Sequence, residues 1–131
     1  MTAGARILVV DDEPDLGAVL ATRLRRAGYE VSVASDGLEA LELIGRAPPD
    51  LVLLDLRMPR LDGLETLRRL RHDGATARLP VIVMTANAEP ADRARALEGG
   101  AAACLAKPFE AREVLEQIRL LLEARDRSAG S

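Results

Sequence analysis

Four short apolar runs of this chain are each followed directly by polar residues that could take part in chemistry. The polar groups are Asp11-Asp12-Glu13, Asp55, Thr85 and Lys107. If the runs are parallel strands, these groups meet at the carboxyl edge of one sheet, where open α/β folds place their sites. The spacing therefore predicts one site that combines carboxylates, a hydroxyl and an ammonium group.

The carboxylates are the first part of this predicted site. Several like charges at close range are unfavourable unless a proton or a cation lies between them. Hard oxygen ligands favour Mg²⁺, which also accepts a phosphate oxygen as a ligand. The only histidine, His72, lies far along the chain on a predicted helix, and Cys104 is the only cysteine, so zinc is not favoured. One strand-end carboxylate alone would be read as a turn or cap residue, but the whole set indicates a cation site.

Lys107 is the second part of the predicted site. Of the 18 basic residues it is the only lysine, which indicates that a compact ammonium is needed where a planar guanidinium would not serve. Pro108 follows it, and a cis bond there would aim the side chain inward. The alternative is a lysine that only extends its ammonium to solvent from a strand end. Thr85 adds to the pattern, although threonine by itself is an ordinary strand residue.

The apolar runs alternate with helical patterns, and this alternation predicts the elements that position the site. The predicted strands span 6–10, 30–34, 51–54, 81–84 and 102–106. The predicted helices span 14–27, 37–46, 90–99 and 110–124, with a third helix after Asp62 that carries Leu64, Leu67 and Leu70. Asp62 is expected to cap the third helix. The fourth helix is the least apolar, and we expect it to pack most loosely. Arginine-rich stretches of the first and third helices are interpreted as solvated faces.

The alternation predicts an α/β fold in a single domain: (βα)5, a doubly wound parallel five-stranded sheet of flavodoxin-like type. The run Val31–Ala34 ends without a reactive group, which suits an edge strand in the order 2-1-3-4-5. Residues 126–131 are predicted to form a polar, disordered tail or the start of a linker after a domain of residues 1–125.

Composition narrows the classes of function. The 131 residues are 48% hydrophobic and 30% charged, with a net charge of −3, which is typical of a globular protein without a nucleic-acid or membrane surface. Aromatic residues are 2%, which leaves little for stacking on bases. A single cysteine, no leader pattern and no membrane-length apolar stretch predict a cytoplasmic protein.

Taken together, the motifs resemble the receiver domain of bacterial two-component response regulators, over nearly the whole chain from about residue 6 to residue 124. The matching pieces are Asp11-Asp12-Glu13, Asp55, Met58-Pro59-Arg60-Leu61-Asp62-Gly63, Thr85-Ala86 and Lys107-Pro108-Phe109. Each piece is weak alone, whereas the ordered set is specific. The resemblance implies a phosphorylation-controlled switch, and not an enzyme with turnover.

The resemblance also implies residue roles. Asp55 would be the phosphoacceptor and would attack a phosphohistidine. The cofactor would be Mg²⁺, bound directly by Asp12, Asp55 and the backbone carbonyl of Arg57, with Asp11 acting through water. Lys107 would neutralise the phosphoryl oxygens and Thr85 would hydrogen-bond one of them. Arg57 and Asn87 would tune the lifetime of the acyl phosphate.

The implied partners are a sensor histidine kinase or phosphotransfer protein, and a downstream partner or output domain. The implied state is a monomer or a weak phosphorylation-dependent dimer. Two features depart from the family. Cys104 stands where an aromatic switch residue is usual, and Ala102-Ala103 stand where many DNA-binding members carry acidic residues that pair receivers. Leu120, on the outer face of the fifth helix, could still mark a partner surface.

Two other functions stay open at this point. The first is a binding module that keeps the fold but does not switch on phosphorylation, which Cys104 motivates. The second is a phosphatase with an aspartyl nucleophile, which would usually carry a second acid two residues after the nucleophile. This chain has Arg57 at that position.

Overall fold

The computed structural model describes residues 4–58, 60–86 and 89–130, with side chains described as far as Asp126. Strands and helices alternate along the chain. The elements are β1 (Arg6–Val10), α1 (Pro14–Arg26), β2 (Glu30–Ala34), α2 (Gly37–Arg46), β3 (Leu51–Asp55), α3 (Gly63–His72), β4 (Val81–Thr85), α4 (Pro90–Glu98), β5 (Ala103–Ala106) and α5 (Ala111–Gly130).

The five strands form one parallel sheet in the order β2-β1-β3-β4-β5. The predicted (βα)5 flavodoxin-like fold and its strand order are therefore confirmed. Every residue of β3 and β4 is buried, as continuous aliphatic runs in a covered parallel sheet require. β2, at the edge, is exposed along most of its length. The central strands thus hold their carboxyl ends on a rigid, fully packed support.

Alternate residues of each strand supply two aliphatic cores, one on each face of the sheet. Leu8, Val52 and Val83 pack with residues of α2, α3 and α4, whereas Ile7, Leu53 and Met84 pack with residues of α1 and α5. Tyr29 belongs to the second core. This two-sided packing fixes the register in which neighbouring strands end.

The helix starts follow ordinary capping chemistry. The Asp36 carboxylate accepts from the backbone N–H of Glu39 at 2.9 Å, and Asp62 accepts from Glu65 at 2.9 Å. The predicted cap at Asp62 is therefore confirmed. Pro14 and Pro90 open α1 and α4, where a missing N–H costs nothing.

The last helix is longer than the sequence predicts. α5 continues to Gly130, so the prediction of a disordered tail from residue 126 is wrong for residues 126–130; Ser131 lies outside the described part of the chain. Most residues after Ala124 are polar, but several are good helix formers and none is proline. The Arg125 guanidinium also donates to the backbone carbonyl of Asp50 at 2.7 Å, which ties this end of the helix to the loop before β3.

Arg71 of α3 binds the loops at the amino edge of the sheet, opposite the predicted site. The guanidinium of Arg71 donates to the carbonyls of Thr76 at 3.0 Å, Leu79 at 2.7 Å and Gly100 at 2.9 Å. Burial lowers the pKa of this group. The interpretation of the α3 arginines as a solvated face is therefore wrong for Arg71, because its guanidinium donates to three backbone carbonyls of two loops. None of the described helices has the length and apolarity needed to cross a membrane.

Candidate functional site

Three carboxylates meet at the carboxyl edge of the sheet. Asp11 and Asp12 follow β1, and Asp55 is the last residue of the neighbouring strand β3. Each offers one oxygen, and the three oxygens lie within 4.8 Å of one another. Asp11 and Asp55 are buried, whereas Asp12 is exposed at the mouth of the cluster. A cluster of hard oxygen ligands with one side open to solvent fits Mg²⁺, which usually keeps several waters.

Lys107 supplies the positive charge of the site. Its Nζ lies 3.0 Å from Asp11 Oδ2 and 3.3 Å from Asp55 Oδ2, and its side chain is only 11% exposed. Its backbone N–H donates to the carbonyl of Thr85 at 2.7 Å, and the peptide bond to Pro108 is cis. The ammonium therefore lies between two carboxylates and does not extend to solvent.

The titration of the cluster reflects this crowding. Burial raises the pKa of Asp55 to about 6; the ammonium of Lys107 opposes the rise and the charge of Asp11 adds to it. Burial alone would lower the pKa of Lys107, but its hydrogen bond to Asp11 and the charges of Asp55 and Asp11 raise it. The site thus has more negative charge than one ammonium neutralises, and a bound cation would stabilise the ionised carboxylates.

The loop after β3 holds a fixed shape beside Asp55. The backbone N–H of Arg57 donates to Asp55 Oδ1 at 3.3 Å. A Cβ at Gly63 would lie 2.3 Å from the carbonyl oxygen of Asp55, so only glycine allows α3 to begin this close to the strand end. Arg60 has a left-handed φ of +64°, and its guanidinium donates to Asp36 Oδ2 at 2.5 and 2.9 Å. Asp36 therefore caps α2 and also anchors this loop.

The remaining residues that the sequence analysis considers lie in different parts of the structure. Thr85 ends β4 and is buried, at the same sheet edge as Asp55. Cys104 is buried in β5, where burial raises the pKa of its thiol. His72 is exposed and ends α3, next to Arg71 at the other edge of the sheet. Asn87 lies outside the described residues, as does Pro59 of the motif after Asp55.

Arg57, beside the site, makes one contact with a neighbouring helix that the sequence does not predict. The side chain of Arg57 reaches α4, where its Nη2 lies 3.4 Å from Asp92 Oδ2. Asp92 is only 5% exposed, and Arg95 of the same helix lies 3.5 Å from its other oxygen. An acid in the first turn of a helix is expected to face solvent and complement the helix dipole, so no pattern in the sequence indicates this buried partner.

Fold and site together define a flavodoxin-like α/β domain with an acidic, lysine-containing pocket at its strand ends. The family model of the response regulator receiver domain matches residues 7–119, and the chain belongs to this family. The acidic pocket of Asp11, Asp12 and Asp55 fits the Mg²⁺-binding phosphoacceptor site of such domains.

Two curated relatives show how much of a regulator the chain represents. It is 39% identical over 122 residues to the DNA-binding dual master transcriptional regulator RpaA of Synechocystis, covering 93% of this chain and 51% of that protein. It is 46% identical over 117 residues to the response regulator MprA of Mycobacterium leprae, covering 89% of this chain and 50% of that protein. The chain thus spans about half the length of the curated relatives it matches.

Solved structures agree with this assignment. A CheY-like receiver domain protein from Methanospirillum hungatei has a TM-score of 0.89 and 28% identity, covering 96% of this chain and 99% of that one. The receiver domain of a sensor histidine kinase from Pseudomonas aeruginosa has a TM-score of 0.85 and 36% identity, covering 92% and 99%. That second structure holds a magnesium ion coordinated in its active-site cleft.

Proposed function

We propose that this receiver domain accepts a phosphoryl group on Asp55 from a histidine kinase or phosphotransfer protein, in a reaction that needs Mg²⁺. The observation that carries the proposal is the position of Lys107, whose ammonium lies within 3.3 Å of both Asp11 and Asp55 among three clustered carboxylates. Phosphoryl transfer requires mainly positioning and charge stabilisation, and this cluster supplies both.

The residues of the site have separate roles in the transfer. Asp12, Asp55, the carbonyl of Arg57 and, through water, Asp11 would hold Mg²⁺, which when bound supplies positive charge to the phosphoryl oxygens. An oxygen of ionised Asp55 attacks phosphorus; the new O–P bond forms as the N–P bond of the donor phosphohistidine breaks, and the imidazole nitrogen keeps the electron pair. Lys107 neutralises the charge on the transferring group.

The same residues account for the reversal of the signal. Water attacks the phosphorus of the acyl phosphate, which releases inorganic phosphate and restores the Asp55 carboxylate. The Thr85 hydroxyl hydrogen-bonds a phosphoryl oxygen and reports its presence to β4. Arg57 and Asn87 set how readily water reaches the group. The domain thus acts as a switch that promotes its own phosphorylation and dephosphorylation, without a separate substrate that it turns over.

The partners, the location and the oligomeric state that we propose follow from the family. The partners we propose are a sensor kinase, or a phosphotransfer protein, and a downstream partner or an output domain in a longer regulator. We propose a cytoplasmic location, no direct contact of this domain with nucleic acid, and a monomer or a weak dimer that phosphorylation strengthens. Residues 1–125 form the receiver in this proposal, and the segment after them leads into a linker.

One observation favours a second candidate, a receiver fold that binds a partner without switching. Cys104 is buried in β5 at the position where the family usually carries an aromatic residue. A small thiol cannot fill the same space as an aromatic ring, so a signal through such a ring is lost. Equal partner affinity with and without the phosphoryl mimic beryllofluoride would support this second candidate.

Intact-mass measurement tests the leading proposal. Incubation with acetyl phosphate and Mg²⁺ should add one phosphoryl group, and Asp55→Asn or omission of the metal should abolish the addition. Asp50→Asn is a matched control, because Asp50 precedes the same strand at its other end and its side chain is 46% exposed. Absence of a Mg²⁺-dependent adduct in the unmodified sequence, or an adduct that persists in Asp55→Asn, would refute the proposal.

A further inference from the structure

The side chain and backbone of Arg57 contact two different parts of the molecule. The backbone N–H donates to Asp55 Oδ1 at 3.3 Å, within the site. The guanidinium lies 3.4 Å from Asp92 on α4, 35 residues further along the chain. Arg57 therefore connects the residue proposed to accept the phosphoryl group directly to a neighbouring helix.

α4 buries few of its residues, so each contact contributes more to its attachment. Its buried residues are Asp92 and Ala96, and its largest apolar side chain, Leu97, is 47% exposed. A buried carboxylate is costly unless a positive group accompanies it. In the described part of the chain, Asp92 pairs with Arg57 from outside α4 and with Arg95 from within the helix. The Arg57–Asp92 ion pair thus adds a charged contact to the packing of Ala96, which holds α4 against the core.

Arg57 is free to exchange one anion for another. Its side chain is 71% exposed, so no packing holds it against Asp92, and their separation of 3.4 Å is long for a charged hydrogen bond. A phosphoryl group on Asp55 would place additional negative charge and three acceptor oxygens next to the backbone of Arg57. A guanidinium binds such a group in a bidentate manner and in preference to a single carboxylate oxygen.

We propose that the Arg57–Asp92 ion pair is a latch that holds α4 in the unmodified domain, and that a phosphoryl group on Asp55 releases it by competing with Asp92 for the guanidinium. This inference rests on the proposed function and identifies how phosphorylation reaches α4. Among the described residues, release leaves Asp92 with its partner Arg95 on the same helix, so the helix opens more often.

Hydrogen exchange of the α4 segment, Pro90–Glu98, tests the latch. With Mg²⁺ and beryllofluoride, amide exchange in α4 should accelerate by about fivefold, as expected for loss of one partly buried ion pair. Arg57→Gln and Asp92→Asn should each show the faster exchange without the mimic, and the mimic should add little further. Asparagine keeps the size of the Asp92 side chain, and the exposed Arg57 side chain can be shortened without disturbing the core.

Arg95→Gln is the matched control. It removes an ion pair to the same carboxylate but leaves the connection to Arg57, so its α4 should still respond to beryllofluoride. If α4 of the Arg57→Gln variant responds as strongly as that of the original sequence, or if the original sequence shows no response, the latch is refuted. Incubation with acetyl phosphate, followed by intact-mass measurement, separates failure of the latch from failure of the proposed function. An adduct without a change in α4 exchange refutes the latch alone, whereas the absence of an adduct refutes the proposed function as well.

Discussion

Replacing Asp55 with asparagine is expected to stabilise the metal-free domain, and the gain should depend on pH. Burial raises the pKa of this carboxyl from 3.8 to about 6, so the folded state binds a proton that the unfolded state has lost between these values. The free energy of unfolding of the original sequence therefore falls as pH rises from about 4 to about 6. Asparagine resembles the protonated carboxyl and does not incur this loss.

The size of the effect follows from the same two values. The difference between 3.8 and about 6, at about 1.36 kcal/mol for each pKa unit, corresponds to about 3 kcal/mol. Part of this loss has already occurred at pH 4, because the unfolded carboxyl titrates at 3.8. Relative to the original sequence, Asp55→Asn should thus gain about 2.4 kcal/mol in stability between pH 4 and pH 8. Mg²⁺ should narrow the gap, because it stabilises the ionised carboxylates of the original sequence by binding the folded state.

Urea unfolding followed by circular dichroism measures this difference in EDTA across pH 4 to 8. Glu98→Gln serves as the control, since it also removes one carboxylate but Glu98 is exposed on α4, outside the site. If Asp55→Asn shows the same difference at pH 4 and pH 8, or destabilises the domain at pH 8, the argument from a buried, crowded carboxylate is wrong.

Three further predictions follow from the structure. Lys107→Met should tighten Mg²⁺ binding, measured by calorimetry without a phosphoryl donor, because it removes an ammonium 3.3 Å from Asp55; unchanged or weaker binding would contradict the electrostatic account. Gly63→Ala should lower the free energy of unfolding in urea by about 3 kcal/mol, because its Cβ would lie 2.3 Å from a backbone oxygen. Gly45 is exposed in α2 and an added Cβ meets nothing within 4 Å, so Gly45→Ala should raise the free energy of unfolding by about 0.5 kcal/mol. Equal effects of the two substitutions would refute the close approach. Burial and the raised pKa of Cys104 should make its thiol react slowly with an aromatic disulfide until urea unfolds the domain; rapid labelling of the folded protein would show that the thiol is accessible.

The sequence predicts the parts of this structure that depend on local pattern. Continuous apolar runs such as Leu51–Leu54 indicate buried strands, and the polar residues that end them must then gather at one edge. The absence of a reactive group after Val31–Ala34 indicates the edge position of β2, which the structure confirms. These features can be predicted because, in a parallel sheet, the residues that follow the strands all lie at the carboxyl edge.

The contacts made by long arginine side chains were not predictable in this way. Arg57 reaches Asp92 and Arg60 reaches Asp36, across 35 and 24 residues respectively. A guanidinium on a flexible stem can reach several acids, and the choice depends on the packing of helices and loops that no periodicity encodes. The end of α5 is difficult to predict for a related reason: polar residues after Ala124 indicate a tail, although helix-forming residues continue past this point.

Arg71 has a consequence for how the family's loops can change length. One guanidinium holds the carbonyls of Thr76, Leu79 and Gly100, which belong to the loops that lead into β4 and β5. An insertion in either loop would have to keep its carbonyl within reach of the same planar group, so the two loops cannot lengthen independently. We expect insertions and deletions to be tolerated poorly at this edge. Divergence among domains that keep this arginine should then occur by substitution here, and by changes of length elsewhere.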